Sequence, residues 1–575
     1  MYLKSPYPDP PPVVDLNAHY AFFHRPEQAQ WSDFTFQIDA ATDKKRTYKE
    51  FVGRVKAGAT ALSTPVADGG LGLSSEGEMV GIMSENSVDY SVVVHSLIAI
   101  ATPFALISAY STRLELLHAF SLAKLTRLFV QPKYLQAALS AAKEVKLPLK
   151  NIYVMNGNLK GYRSFGNMIE RVEKANIPLM PPRPATKDTL AYLVFSSGTS
   201  GLPKAVMITH GNLLYSLYQT GVVTRTTMEV YTPPTPKTPE GIPIALGFLP
   251  MHHSYGLHAY CFRSLLSPTT IVILAKWNID VALKVIPKYR VSTLNLIPSV
   301  IHQLVNHPKL KSADLSSVSN TFSGAAYLPP ELAAKFISYT GKEATLTEGY
   351  GLSECTIAAL TQPFPGIFGG KAKRVIGSAG VPLPGMEARI LRDDGSNAEV
   401  NEAGDLWLKG GNVSPGYYNN DAATKEAFDD GWLKTGDKFR VDQDGYFFFA
   451  DRTKDTLKVS GTQVSPVEIE DVLLAQPDKL ITDITVAGVQ GHGRTSDEKV
   501  PRAWIVLSED GKKRGAPAVI KVLEEWQQEN LSKFKWLRGG IEVVKEIPKS
   551  PTGKVLRRVL VERYEQRTRK LRGKL

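Results

Sequence analysis

The nine residues Ser196-Ser197-Gly198-Thr199-Ser200-Gly201-Leu202-Pro203-Lys204 gather what a phosphate needs from a protein. Small residues let backbone N–H groups come close to phosphate oxygens, hydroxyls donate further hydrogen bonds, and lysine supplies charge. The spacing Gly-x-x-Gly-x-x-Lys is not that of the Walker loop, which keeps four residues between its glycines and places Ser or Thr after its lysine. It is not the dinucleotide glycine fingerprint either. The segment directly follows an apolar run over 191–195, where a buried strand would end and a ligand-binding loop begin. A merely flexible Ser/Gly turn does not account for nine such residues in that place.

Such a loop has to be held by a scaffold, and the chain supplies a layered one. Short apolar runs over 78–83, 127–131, 151–155 and 270–274 alternate with helical patterns, which predicts α/β layers with buried strands. The uncharged stretch 91–108 is interrupted by His95 and Pro103. A membrane-spanning helix needs about 20 apolar residues, so a buried helix followed by a strand is expected there. Residues 231–243, dense in Pro, Thr and Gly, read as a surface loop. Beyond about residue 375 the texture turns β-rich, with turns at Asp393-Asp394-Gly395 and Asp442-Gln443-Asp444-Gly445. The charged break Asp451-Arg452-Thr453-Lys454-Asp455 then leads into a compact α+β pattern, helical over 466–474 and 518–530 and strand-like over 484–489 and 503–507.

At 575 residues the chain exceeds one ordinary core, so more than one domain is expected. Its composition, 43% hydrophobic and 22% charged, is that of a soluble globular protein. The two cysteines, Cys261 and Cys355, lie far apart in no metal-ligand spacing, which fits a reducing compartment rather than a disulfide framework. Much of the formal charge of +12 sits at one end: residues 554–575 carry nine Lys or Arg against two Asp or Glu. No aromatic-studded basic stripe accompanies it, so the reading is a solvated, helical tail with no nucleic-acid partner. The segment 1–12 lacks the apolar core of a signal peptide and the pattern of a transit peptide. A cytoplasmic location is expected. The final Gly-Lys-Leu is close to the Ser-Lys-Leu peroxisomal address but has the wrong first residue.

The phosphate loop resembles that of the adenylate-forming superfamily, which includes acyl-CoA synthetases, 4-coumarate–CoA ligases, firefly luciferase and peptide-synthetase adenylation domains. Further motifs follow in that superfamily's order, from about residue 20 to 565. Leu249-Pro250-Met251-His252-His253-Ser254-Tyr255-Gly256 resembles the aromatic-histidine segment beside the carboxylate pocket, with His253 on the family histidine and His252 in place of the usual aromatic. Ser323-Gly324-Ala325-Ala326 resembles the segment that packs on adenine, although Tyr327 stands where proline is usual. Glu348-Gly349-Tyr350-Gly351-Leu352-Ser353-Glu354 matches the Gly-Tyr-Gly motif. Thr435-Gly436-Asp437 resembles the ribose-binding site, and Arg452 the arginine that also reaches the ribose. Lys454 falls on the hinge, Lys458–Val464 on the thioester-forming loop with Gly461 allowing close backbone approach, and 548–554 on the loop bearing the adenylation lysine, Lys554.

The resemblance implies an ATP-dependent acid–thiol ligase that forms an acyl-adenylate and passes the acyl group to coenzyme A. It implies an N-terminal domain over 1–450 of layered α/β subdomains plus a β-rich one, a hinge over 451–454, and a small mobile α+β domain over 455–575. ATP would be held by Ser196, Ser197, Gly198, Thr199, Ser200, Gly201, Lys204, Gly324, Ala325, Ala326, Glu348, Gly349, Tyr350, Ser353, Asp437, Arg452 and Gln463. Glu354, with Thr199, would hold Mg2+, which prefers oxygen ligands and few protein contacts. Lys554, His253, Lys458 and Gly461 would carry the chemistry. By likeness to 4-coumarate–CoA ligases, Tyr255, Ala259, Gly324, Gly349, Ile357 and Ala358 would line the acyl pocket, whose mixture of small and aromatic residues suits an aryl or medium-chain acid. Coenzyme A is favoured as acceptor because no phosphopantetheine-bearing carrier domain follows the small domain. A separate carrier protein, luciferase-type oxidation of the adenylate, and an ATP-binding protein that lost catalysis are the alternatives. The segment at His252-His253 lacks the aspartate that peptide-synthetase domains use for an amine. The motifs leave the oligomeric state and the acid itself open.

Overall fold

The computed structural model describes residues 1–196, 203–341, 344–452, 457–459, 462–491, 499–531, 533–550, 553 and 555–572, of which 452, 458, 459, 462, 463, 534 and 569–572 are described for the backbone alone. Two largely parallel sheets build most of the large domain. In the first, strands run in the order Ile152–Val154, Arg127–Val130, Val80–Met83, Phe104–Ile107, Leu190–Ser196, Lys204–Thr209, with only the last antiparallel. Val80–Met83 and Phe104–Ile107 are buried at every position, as strands covered on both faces must be. The second sheet has a parallel centre ordered Thr345–Tyr350, Asn320–Ser323, Thr293–Leu296, Ile244–Gly247, Thr270–Ile273, Thr35–Asp39, with antiparallel strands at its edges.

The uncharged stretch behaves as expected: the helix Val88–Ala99 leads into the strand Phe104–Ile107. His95 inside that helix is buried, and its Nε2 meets the Cys261 carbonyl oxygen at 2.7 Å, so a core histidine finds a backbone partner. Cys261 and Cys355 are both buried free thiols. Residues 231–243 carry no helix or strand. Among the described residues no helix is long and apolar enough to cross a membrane.

The expected β-rich segment forms an antiparallel sheet from Glu387–Leu391, Gly404–Lys409, Trp432–Val441 and Phe447–Arg452, with Gly395 and Gly445 at positive φ in the two anticipated turns. The amino terminus completes this sheet. Tyr2–Lys4 pairs with Glu387–Leu391, and the Met1 ammonium donates to the Ile390 carbonyl at 2.8 Å.

In the small domain, helices Pro466–Leu474 and Ala516–Asn530 cover the antiparallel pair Ile481–Gln490 and Lys499–Leu507, which Ile541–Val543 extends in parallel. Arg557–Arg572 is the helical tail. The strand of the large domain runs on through Arg452, so Asp451 and Arg452 are sheet residues. Thr453 and Lys454 lie outside the described residues. The small domain rests on the second parallel sheet's surface: Tyr327 donates to Asp471 Oδ2 at 3.0 Å, Lys479 pairs with Glu331 at 2.5 Å, and His302 Nε2 meets the Thr482 carbonyl.

Candidate active site

Every motif singled out in the large domain's parallel sheets begins where a strand ends. Leu190–Ser196 delivers Ser196, Asn320–Ser323 delivers Gly324, and Thr345–Tyr350 delivers Glu348, Gly349 and Tyr350. Parallel strands point their carboxyl ends one way, so these loops gather at one edge, where ligands of open α/β sheets bind. The strand after the phosphate loop returns antiparallel, with Lys204 opposite Ser196. Only the two ends of the phosphate loop, through Ser196 and from Pro203, are described; Ser197, Gly198, Thr199, Ser200 and Gly201 lie outside the described residues.

Lys204 lies over the Tyr417 ring at 4.8 Å, and Tyr417 donates to Glu354 Oε1 at 2.8 Å. Glu354 is 9% exposed. Burial pushes its carboxyl up, while the Tyr417 hydrogen bond and the Lys204 charge draw it back. A buried carboxylate short of positive charge fits a cation, so the donor chemistry at Glu354 suits Mg2+. Thr199, its expected companion ligand, lies outside the described residues. Ser353, also buried, accepts a hydrogen bond from Ser254 Oγ at 3.2 Å, which ties the Gly-Tyr-Gly segment to the histidine segment.

Tyr350 donates to Asp437 Oδ2 at 2.7 Å and sets its ring against Phe439. Asp437 pairs in register with Arg452 on the next strand, so the two expected ribose contacts are neighbours across the sheet. Gly351 lets the 357–358 loop cross here: a Cβ at that position would lie 1.9 Å from the Ile357 carbonyl oxygen. Ala325 and Ala326 are exposed, and Ala325 holds φ at +70°, a strained conformation for a residue with a Cβ. Burial alone pushes the Glu348 carboxyl up to about 7. Tyr327 faces Phe449 and bonds Asp471, so the residue in proline's usual place serves the contact between domains.

The acyl-pocket candidates also converge. A Cβ on Gly324 would lie 3.5 Å from the Gly349 carbonyl oxygen and 3.9 Å from Tyr255 Cε1. Tyr255 donates to the Phe322 carbonyl at 3.3 Å, and Ala259 follows one turn on. Ile357 and Ala358 approach Gly351. Burial holds the His253 imidazole down at about 4, so it is neutral near pH 7. Its Nδ1 accepts the Tyr255 backbone N–H at 3.4 Å, which leaves the ring proton on Nε2.

Of the small-domain residues, Lys458 and Gln463 are backbone partners in the antiparallel pair Leu457–Val459 and Thr462–Val464. Gly461 and Lys554 lie outside the described residues, but Gly553 does not. It holds φ at +81°, and a Cβ there would lie 2.4 Å from Ser299 Oγ and 2.6 Å from Ile297 Cδ1. Those residues follow the strand Thr293–Leu296, so the loop reaches the same edge of the second sheet.

Two residues escaped the sequence reading. Tyr417 lies 63 positions from Glu354 in sequence, and only the pairing of 416–418 with the Lys204–Thr209 strand brings it in. Arg263 could have been found: it is the one charged side chain in the stretch 254–266, four residues after Ala259. Its Nε is buried without a hydrogen-bond partner.

Residues 24–418 match the family of AMP-binding enzymes, and residues 468–554 match the AMP-binding enzyme C-terminal domain. The chain is 32% identical over 508 residues to a probable 4-coumarate–CoA ligase of Dictyostelium discoideum, covering 84% of this chain and 85% of that protein. It is 29% identical over 565 residues to the peroxisomal OPC-8:0-CoA ligase 1 of Arabidopsis thaliana, covering 97% and 95%. The ATP-bound structure of MatB from Rhodopseudomonas palustris shares the fold with a TM-score of 0.78 at 23% identity, over 95% of this chain and 98% of that one.

Proposed function

The chain belongs to the AMP-binding enzyme family and is an AMP-forming acyl-CoA synthetase, and from that premise we propose that the acid it activates is an aryl or medium-chain carboxylic acid. The observation that carries this reading is the meeting of Tyr255, Gly324 and Gly349 in one wall, next to the Tyr350–Asp437 pair. Small residues leave room there, and the Tyr255 ring offers a flat face. Acetate would leave much of that space empty.

In the first half-reaction a carboxylate oxygen attacks the α-phosphorus of ATP, and pyrophosphate leaves. The two reactants repel each other, so the site must neutralise charge and align them. The loop 196–204 and Lys204 face the phosphates, and Asp437 accepts from ribose hydroxyls in exchange for the Tyr350 hydroxyl. Glu354 would hold Mg2+, which when bound neutralises charge on the phosphates. Lys554 bridges the acyl carboxylate and the α-phosphate, and the packing of Gly553 against Ser299 supports that placement. Neutral His253 borders the acyl carboxylate and gates it without adding charge.

In the second half-reaction the coenzyme A thiol attacks the acyl carbonyl, and AMP departs with the bonding pair. Rotation of the small domain about Lys454 would withdraw Lys554 and bring in Lys458 and Gly461. The Tyr327–Asp471 and Lys479–Glu331 contacts would then break. A coenzyme A-dependent thioester assay over benzoate, cinnamates, phenylacetate and C4–C16 fatty acids tests the proposal. Turnover confined to acetate or propionate would overturn it.

A further inference from the structure

Arg263 stands one turn beyond Ala259 on a continuous helical path, Ser254–Leu257, His258–Phe262 and Arg263–Leu265. Arg263 is partly exposed, and three other partly buried arginines have what it lacks among the described residues, a carboxylate partner. Arg46 pairs with Asp89 at 2.8 Å, Arg502 with Glu542 at 2.8 Å and Arg557 with Glu470 at 2.9 Å. Among the described residues no carboxylate pairs with Arg263, and its buried Nε donates to nothing. Burial holds Arg263 below the usual arginine range, with the Tyr255 hydroxyl opposing that shift, and its charge also acts on His258. Arg263 thus follows Tyr255 and Ala259 along the same helical path, and Tyr255 shares a wall with Gly324 and Gly349.

Arg263 is partly exposed with its Nε buried, and since a guanidinium cannot shed its proton near neutral pH, drawing it from water without an anion is costly. No described residue supplies the partner, and the adjoining space is the acyl pocket. We propose that Arg263 receives a second, distal carboxylate of the acyl substrate, so that the preferred acid is a medium-length dicarboxylic acid. This rests on the acyl-pocket reading given above. Arginine suits the role because its planar fork binds a carboxylate through two parallel hydrogen bonds. The helical path from His253 to Arg263 spans roughly 12–15 Å, and the side chain leans back toward the helix start, which leaves about 8 Å between the two carboxyl groups.

The test compares matched monoacids and α,ω-diacids from C6 to C12 by ATP–pyrophosphate exchange, in wild type, Arg263→Met and Arg263→Lys. Wild type should favour the diacid in kcat/KM by at least about 10-fold at one or more chain lengths. Arg263→Met should move the two members in opposite directions, lowering the diacid and raising the monoacid, and Arg263→Lys should restore part of the diacid rate. A wild-type preference for monoacids at every length overturns the proposal and needs no variant. So does an equal loss on both members in Arg263→Met. Absence of exchange with any acid, aryl acids included, overturns the ligase reading itself and the proposal with it.

Discussion

The proposed nucleotide and acyl ends of the site treat charge differently. At the nucleotide end, Glu354 and Asp437 each receive a tyrosine hydroxyl, from Tyr417 at 2.8 Å and Tyr350 at 2.7 Å, and Lys204 stands over the Tyr417 ring. The protein has already oriented its carboxylates before the nucleotide arrives. At the acyl end the histidines are neutral, and among the described residues the Arg263 cation meets no carboxylate. The first arrangement orients groups toward a ligand of fixed chemistry. On the proposal above, the second turns desolvation into selectivity, because an acid that brings no distal anion leaves that cation unpaired.

The contrast can be broken in several places. The largest effect is expected from Lys554→Ala, which removes the charge proposed to bridge the acyl carboxylate and the α-phosphate. Pyrophosphate exchange should fall at least ~100-fold, while thioester formation from supplied acyl-adenylate stays largely intact. Equal damage to both half-reactions would end that division of labour. Gly553→Ala tests the same loop sterically. With φ at +81° and Ser299 in the way, it should depress exchange by roughly 10–100-fold and spare the thioester step.

Tyr417→Phe withdraws the hydroxyl from Glu354 without touching charge. A hydrogen bond to a charged group is worth about 1.5–3 kcal/mol, so kcat/KM for ATP should drop ~10-fold or more, with the KM for the acid unchanged. A change confined to the acid would show that the two ends are not separate.

Glu348 is the exception at the nucleotide end, since burial alone raises its carboxyl to about 7 from an ordinary 4.5. The sign follows from linkage. The cost of ionising it in the fold is absent below about 4.5, grows with pH, and is complete above about 7. Glu348→Gln should therefore leave stability at pH 4.5 nearly unchanged and raise it at pH 7.5 by at most about 3 kcal/mol, read from denaturant midpoints. A flat difference between the two pH values would place that carboxyl in water. The smallest effect is expected from Tyr327→Phe. It loosens the small domain's contact by about 1 kcal/mol and should shift the balance between half-reactions less than ~5-fold.

Much of the scaffold was legible because buried parallel strands leave short apolar runs: 127–131 and 270–274 became Arg127–Val130 and Thr270–Ile273 with ends off by a residue. The helix over 466–474 matches Pro466–Leu474, where Ser465 caps and Pro466 opens the first turn. The amino-terminal strand was not legible, because Tyr2–Lys4 has no pattern of its own and exists only against Glu387–Leu391. The charged break misled at its start, since Asp451 and Arg452 continue a sheet whose hydrogen bonds come from the backbone and need no apolar side chain.

The sequence by itself determined the nucleotide chemistry. The residues we propose for phosphate and adenine lie in short contiguous stretches, 196–204 and 348–354, whose residue types and spacing are local facts. Tertiary structure alone decided who partners those residues. Tyr417 reaches Glu354, Tyr327 reaches Asp471, Gly553 reaches Ser299, and among the described residues Arg263 reaches no carboxylate. The reason is that pairing and burial depend on distances between segments far apart in the chain. A buried cation looks the same in sequence as a solvated one until the fold shows what surrounds it.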